Sequence, residues 1–234
     1  MKVSIIIPFY DNWTMTHQRM MELYKHIVNP VEIVLVNDCS KDESIDSSVA
    51  WWQQNSKHRV KYVKNKKNLG FGKSMNKGVK KSGGDIVVLL SNDVQVTGDF
   101  ISVILQKLKE DEKVLIGGEL HDWNTGWNVL EINGQMKVFP YAAGWLLSCT
   151  REVWDDIGGF DSIYEKFDYE DMCLSTMAIH KGYKLVGLNL KFMLRHFSGQ
   201  TVRKEYPDRE KYTLKNQKRF IEKWSKILKD ENTC

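Results

Sequence analysis

At 234 residues, with 42% hydrophobic and 27% charged content, the chain has the length and composition of one globular unit with a sizeable core, which excludes a disordered or fibrous protein. No apolar run approaches the ~20 residues that span a bilayer, and the opening MKVSIIIPFYDN has too short a hydrophobic part for a secretory leader, so a soluble protein is expected. The formal net charge of +4 is spread unevenly, which matters more for partners than its size.

Apolar runs bounded by turn residues appear first as KVSIIIPF, VEIVLVN, RVKYV and DIVVLLS, and helical spacing fills the gaps at Trp13 to Ile27, Asp42 to Gln54 and Phe71 to Ser82. Strands alternating with helices predict an α/β protein with a mostly parallel central sheet flanked by helices. Runs as apolar as IVLV and IVVLL suit strands covered on both faces. Ligands of such sheets bind beyond the carboxyl ends of the strands. There stand Pro8-Phe9-Tyr10-Asp11, Asn37-Asp38-Cys39-Ser40 and Ser91-Asn92-Asp93, so acidic groups collect at one edge where the core stops.

From Lys57 to Lys81 many residues are basic and none acidic, which predicts an anion nearby. Within it, NLGFGKSMNKG fails two phosphate-loop patterns: a Walker loop needs Gly where Lys67 stands, and the dinucleotide fingerprint needs Gly where Met75 stands. A helix starting near Gly70 still points N–H groups and a positive dipole end outward, with Lys73 in its first turn.

Beyond Val96, GDFISVILQKLKED reads as a helix, KVLIGGEL as a strand, and Asp122 to Gly134 as a long loop or small ribbon. FPYAAGWLLSCTREVWDDIGGFD predicts a strand, a short helix and a turn. YEDMCLSTMAIHKGYKLVGL predicts a helix closed at Gly182 and then a strand. Glu205 to Lys229 spaces Tyr212, Leu214, Phe220, Ile221, Trp224 and Leu228 as a C-terminal amphipathic helix. This predominantly basic tail, from Arg203, is expected either as a solvated face or as a contact with an anionic membrane or polyanion. The cysteines Cys39, Cys149, Cys173 and Cys234 lack zinc-site pairing or disulfide density, so a reducing, cytoplasmic compartment is expected, at most peripheral at the inner membrane face.

The ordered set SIIIPFYDN, VEIVLVNDCSKDES, NLGFGKSMNKGVKKSGGDIVVLLSNDV, GWLLSCTREVWDDIGGFD, YEDMCL and RHFSGQT, from about Lys2 to Thr201, resembles the family 2 glycosyltransferases of GT-A (Rossmann-like) fold. The resemblance implies one unit over 1–234, with a nucleotide-sugar half (1–96), an acceptor half (97–201) and a basic helical tail (202–234). It implies that Pro8, Tyr10 and Asp11 form the first donor loop, that Asp38 accepts from the nucleotide base, commonly uracil, and that Asn68, Lys73 and Asn76 flank the diphosphate. Ser91-Asn92-Asp93 matches the family's Asp-x-Asp motif with Ser in place of the first acid, and Asp93 would hold Mn²⁺ or Mg²⁺, joined by His196. Asp171 matches the family's base, Glu170 a contact to a sugar hydroxyl, and Gly144 and Trp145 the acceptor-side floor. Trp123 and Trp127 are expected as acceptor contacts or as anchors of a lid.

The implied activity is inverting, metal-assisted transfer of a sugar from a nucleotide-sugar donor, UDP-linked by preference, to a hydroxyl of a glycan, a lipid-linked acceptor or a polymer, modified DNA included. Two alternatives stand beside it. One is a non-catalytic binder of nucleic acid or another anionic polymer, which the basic stretches favour and the clustered acids oppose. The other is a sugar nucleotidyltransferase, which needs a glycine-rich triphosphate loop after the first strand, where this chain has IIIPFYDNW.

Overall fold

The computed structural model describes residues 1–197 and 208–230. The predicted RHFSGQT motif past Phe197, the basic Arg203 and Lys204, and the first residues of the predicted C-terminal helix lie outside them.

The amino-terminal part alternates as expected: β1 (Val3–Phe9), α1 (Trp13–His26), β2 (Glu32–Asn37), α2 (Ser44–Asn55), β3 (Arg59–Lys64), α3 (Phe71–Lys81) and β4 (Ile86–Leu90). There follow β5 (Val94–Val96), α4 (Phe100–Glu110), β6 (Val114–Gly117), β7 (Leu120–His121), β8 (Val129–Ile132), β9 (Gln135–Val138), β10 (Tyr141–Ala142) and β11 (Leu146–Thr150). The chain then forms α5 (Arg151–Ile157), α6 (Glu170–His180), β12 (Lys184–Gly187), β13 (Leu194–His196) and a long helix, α7 (Arg209–Asp230).

Seven strands make the central sheet in the order β12-β6-β11-β4-β1-β2-β3. All of its neighbours run parallel except β11, which is antiparallel to both β4 and β6. Every residue of β1, β2 and β4 is buried, which is why these runs lack polar alternation. On one face Ile5, Ile7, Ile33 and Leu35 pack with Met20, Leu23, Val49, Phe100 and Ile104. On the other, Ile6, Val34, Val36 and Leu89 pack with Met75, Val79, Trp154 and Leu174. Helix α3 approaches the sheet at Gly78, where a Cβ would collide with Ile6 and Val36.

Strand order reverses at β1, with β2 on one side and β4 on the other, and a crevice opens beyond their carboxyl ends. The segment expected as a loop or small ribbon is in part a ribbon: β8 and β9 pair around Asn133-Gly134, both at positive φ (53° and 77°), as the Asn-Gly hairpin turn requires. A third apolar cluster joins Leu130 and Ile132 of this hairpin to Phe220 and Trp224 of α7 and to Tyr164, Tyr169, Met172 and Cys173.

Candidate active site

The crevice is a cleft of about 1260 Å³, and both halves of the chain line it. Pro8 and Tyr10 at the end of β1, Asp38 after β2, Asn68 before α3, and Ser91, Asn92 and Asp93 after β4 form one wall. Trp145 and His196 adjoin this wall, and Gly144, Glu170 and Asp171 form another part of the lining. Of the sequence-derived candidates, Asp11, Lys73 and Asn76 lie off this lining. Asp11 instead ties two loops together, accepting from Lys41 N–H at 2.9 Å while its own N–H donates to Ser40 Oγ at 2.8 Å. Asn76 brackets Phe160, donating to its carbonyl at 2.6 Å and accepting from its N–H at 2.9 Å.

Asp38 is buried by its own chain. Its Oδ1 accepts from Asn65 Nδ2 and Leu69 N–H, both at 2.8 Å, and its Oδ2 from Gly70 N–H at 2.9 Å. The carboxylate therefore fixes the loop into α3, where Gly70 stands at φ 86° with Lys166 backbone where a Cβ would be.

Asp93 is also buried, and Ser91 Oγ donates to its Oδ1 at 2.6 Å. His196 reaches the same oxygen through Nε2 at 3.5 Å, because β13 pairs with β5 and sets His196 opposite Val94. Burial alone pushes the Asp93 carboxyl up, but the His196 and Ser91 contacts outweigh it and hold it below the usual carboxylate range. Trp145 stacks on the His196 ring at 5.2 Å and 19°, and donates through Nε1 to Glu119 at 3.3 Å.

The acids of the other part are in the opposite condition. Glu170 is buried, its Oε2 has no hydrogen-bond partner, and burial, then the neighbouring Asp171 charge, push its carboxyl well up. Asp171 is raised by burial as well, in part offset by N–H donors from Gly144 to Oδ2 at 2.9 Å and from Met172 to Oδ1 at 2.8 Å. Both acids open α6, whose N-terminal dipole favours negative charge. Each Asp171 oxygen keeps a lone pair beyond its one backbone donor.

The lining also includes residues the sequence did not single out: Glu119, His121, Tyr141, Lys166, Asp168 and Arg209. His121 and Tyr141 stack at 4.7 Å, Trp123 lies 6.2 Å from the His121 ring, and the exposed Trp127 also reaches the cleft. Of the predicted basic stretch, Asn68, Gly70, Phe71 and Ser74 reach the cleft but no lysine does. Lys61 pairs with Glu32 at 2.8 Å and Lys64 with Asp46 at 2.9 Å.

Among the described residues no group of three or more His, Cys, Asp or Glu side chains is arranged to hold a metal. Asp93 and His196 on their own still suit an ion that takes most of its ligands from substrate phosphates and water, as Mg²⁺ does. An imidazole beside the carboxylate admits Mn²⁺.

A sequence model described as glycosyl transferase family 2 matches residues 4–169. The chain is 28% identical over 171 residues to a dolichol-phosphate mannosyltransferase of Pyrococcus furiosus, across 68% of this chain and 45% of that protein. Mannosyltransferase PcManGT of Pyrobaculum calidifontis, solved with GDP-Man and Mn²⁺, aligns with a TM-score of 0.63 at 17% identity, over 80% of this chain and 54% of that one. Staphylococcus aureus TarS 1-349 with UDP aligns with a TM-score of 0.64 at 18% identity, over 83% and 60%. These likenesses show the GT-A fold, and this chain spans roughly half the length of the relatives it matches.

Proposed function

Because this chain belongs to glycosyl transferase family 2, we propose that it moves a sugar from a nucleotide-sugar donor to an acceptor hydroxyl by a single inverting displacement. One observation carries the reading. A single cleft sets an ionised carboxylate, Asp93, against two carboxyls that burial pushes towards protonation, Glu170 and Asp171. Titratable groups driven apart by their surroundings are how one site divides acid, base and charge-holding tasks.

On the donor side, Pro8 and Tyr10 flank the nucleotide base and Asp38 accepts from its N–H, since Asp38 Oδ2 has only one internal donor and keeps a lone pair. A uracil or a guanine presents such an N–H, so UDP- and GDP-linked sugars are the classes to test first. Asn68 lies beside the diphosphate. Asp93 and His196 are the residues that would hold a divalent cation, Mn²⁺ or Mg²⁺, and such an ion would offset the negative charge that builds on the departing diphosphate. The described acids of the cleft would otherwise repel that diphosphate.

On the acceptor side, Asp171 takes the hydroxyl proton as the oxygen attacks the anomeric carbon, and the Gly144 N–H keeps the carboxylate aimed. Glu170, uncharged, donates its proton to a sugar oxygen and so satisfies the group that is buried without a partner. His121, Tyr141, Trp127 and Trp145 offer ring faces for the apolar side of a pyranose, which suits a glycan or lipid-linked glycan acceptor.

The reading is tested by incubating the protein with UDP- and GDP-sugars and Mn²⁺, and following nucleotide release with and without acceptors. Release and transfer by the native chain, and none by Asp171→Asn, are expected. Turnover of Asp171→Asn at the native rate removes that residue from the mechanism.

A further inference from the structure

The family match ends at Tyr169, yet Arg209, Glu210, Thr213 and Leu214 of α7 line the cleft. The loop that delivers Glu170 and Asp171 closes the matched stretch, and its backbone is strained: Lys166, Asp168 and Tyr169 all stand at positive φ (61°, 69° and 70°). A non-glycine residue held there costs about 1–3 kcal/mol and persists only where its surroundings impose it.

Here α7 imposes it. Asn216, wholly buried, donates through Nδ2 to the carbonyls of Glu165 (2.9 Å), Phe167 (2.8 Å) and Asp168 (3.1 Å), and accepts from Glu165 N–H at 3.2 Å. Arg209 grips Asp168 with Nε at 3.0 Å and a second contact through Nη2, and Thr213 Oγ1 donates to the same carboxylate at 2.6 Å. Lys215 and Arg219 pair with Glu165, and Lys223 with Asp161 at 2.7 Å. These four basic residues of α7 thus pair with acids of the protein itself. The apolar joint, Phe220 and Trp224 against Tyr164, Tyr169 and Met172, would suffice if the helix only closed the core. Most of the polar staples lie instead at its amino-terminal half, on the one loop that leads into the catalytic acids.

We propose that α7 is part of the catalytic apparatus, with Asn216, Arg209 and Thr213 as positioning residues that lock the Asp168–Tyr169 step and so aim Asp171 at the acceptor hydroxyl. The inference rests on Asp171 being the base. Arg209 has a second task. Asp168 is a negative neighbour of Asp171, the uncharged Glu170 adjoins it, and Tyr141 from β10 and Glu119 stand near; Arg209 is the cation from α7 that offsets the Asp168 charge. Donor binding is built on Asp38 and Asp93; the stapled loop also touches the donor side, where Lys166 accepts from Phe71 N–H at 3.0 Å and donates to Asn68 at 2.9 Å, so nucleotide binding should depend on α7 far less than kcat does.

The experiment compares Asn216→Asp, Arg209→Gln, Arg209→Lys and the pair Arg209→Gln/Asp168→Asn with the native protein and Asp171→Asn, in the full chain. It measures kcat, donor KM, Mn²⁺-dependent nucleotide binding and the pH–rate profile. Asn216→Asp keeps the shape but loses the amide donors, and kcat should fall about 10²-fold, the effect of misplacing a reacting group by roughly 1 Å, while nucleotide binding stays within about twofold. Arg209→Gln should move the acid limb of the profile to higher pH, because the uncovered Asp168 charge disfavours ionisation of Asp171. Arg209→Lys should move it less, and removing Asp168 as well should move it back. If Asn216→Asp fails to fold, the Arg209 series decides alone. Native kcat in Asn216→Asp, an unmoved limb in Arg209→Gln, or nucleotide binding lost in step with kcat would each overturn the proposal and leave α7 as packing. Native turnover of Asp171→Asn would overturn the base assignment and this inference with it. A dead Asp171→Asn beside native-like α7 variants would overturn only the inference.

Discussion

The two walls of the cleft handle carboxylates in opposite ways. On the sheet edge, Asp93 sits among donors, with Ser91 and His196 on one oxygen, and stays ionised despite burial. Across from it, Glu170 has an oxygen with no partner and Asp171 has backbone donors only, and both are pushed up. Burial is common to both walls, so the difference comes from what else each carboxylate touches. On the proposed reading, the carboxylate that would hold a cation is the one its polar neighbours keep ionised, and the two carboxyls assigned to proton exchange are the ones burial raises.

The contrast is sharpest in Asp171→Asn. Loss of a general base typically slows the chemical step 10²–10⁴-fold, and transfer should fall about 10³-fold while Mn²⁺-dependent nucleotide binding survives. Asp93→Asn should do the reverse, weakening nucleotide binding in Mn²⁺ about 10²-fold and abolishing its dependence on the ion, as titration calorimetry with and without EDTA would read. Equal effects of the two variants on binding would erase the distinction between the walls.

Stability measures the same contrast more gently. A carboxyl raised in the fold contributes stability that is fully present below its unfolded pKa and is lost as pH rises through its folded one. The penalty of charging Glu170 is thus absent in acid and grows as pH climbs above the ordinary carboxylate range. Glu170→Gln should therefore stabilise the protein near neutral pH by about 1–2 kcal/mol, with no gain near pH 4, in thermal melts across pH. For Asp93 the sign is opposite: its lowered value gives stability present above the unfolded pKa and lost as pH falls through the folded one. At the far end of the scale, Lys64→Ala breaks an exposed pair with Asp46 on the outer edge of the sheet and should change stability by less than about 0.5 kcal/mol, since solvent screens such pairs.

Much of the donor wall was legible because it obeys a local rule. Apolar runs end at polar residues, so VSIIIPF and IVVLL announced both the buried strands and the places where Tyr10 and Asp93 emerge. The rest of the lining obeys no such rule. His196 meets Asp93 only through the pairing of two three-residue strands far apart in the chain, and the resemblance, rather than any periodicity, pointed to it. The tail read as a basic amphipathic helix, but the partners of Arg209, Lys215 and Lys223 are Asp168, Glu165 and Asp161, and nothing local in the sequence links them. Asn76 had a polar side chain at the expected place, and the structure spends it on holding Phe160. The Asn133-Gly134 hairpin carried its signal openly, in a segment that composition alone left between loop and ribbon.

The central claim is that Asp93, kept ionised at the sheet edge, holds a divalent cation against the donor diphosphate while Asp171 stands ready as base across the cleft. Calorimetric titration of a nucleotide-sugar into native, Asp93→Asn and Asp171→Asn proteins, each with Mn²⁺ and with EDTA, tests it most directly. The account predicts Mn²⁺-dependent binding in the native protein and in Asp171→Asn, and none in Asp93→Asn. Binding that is indifferent to Mn²⁺ in the native chain, or that keeps its dependence in Asp93→Asn, would contradict it.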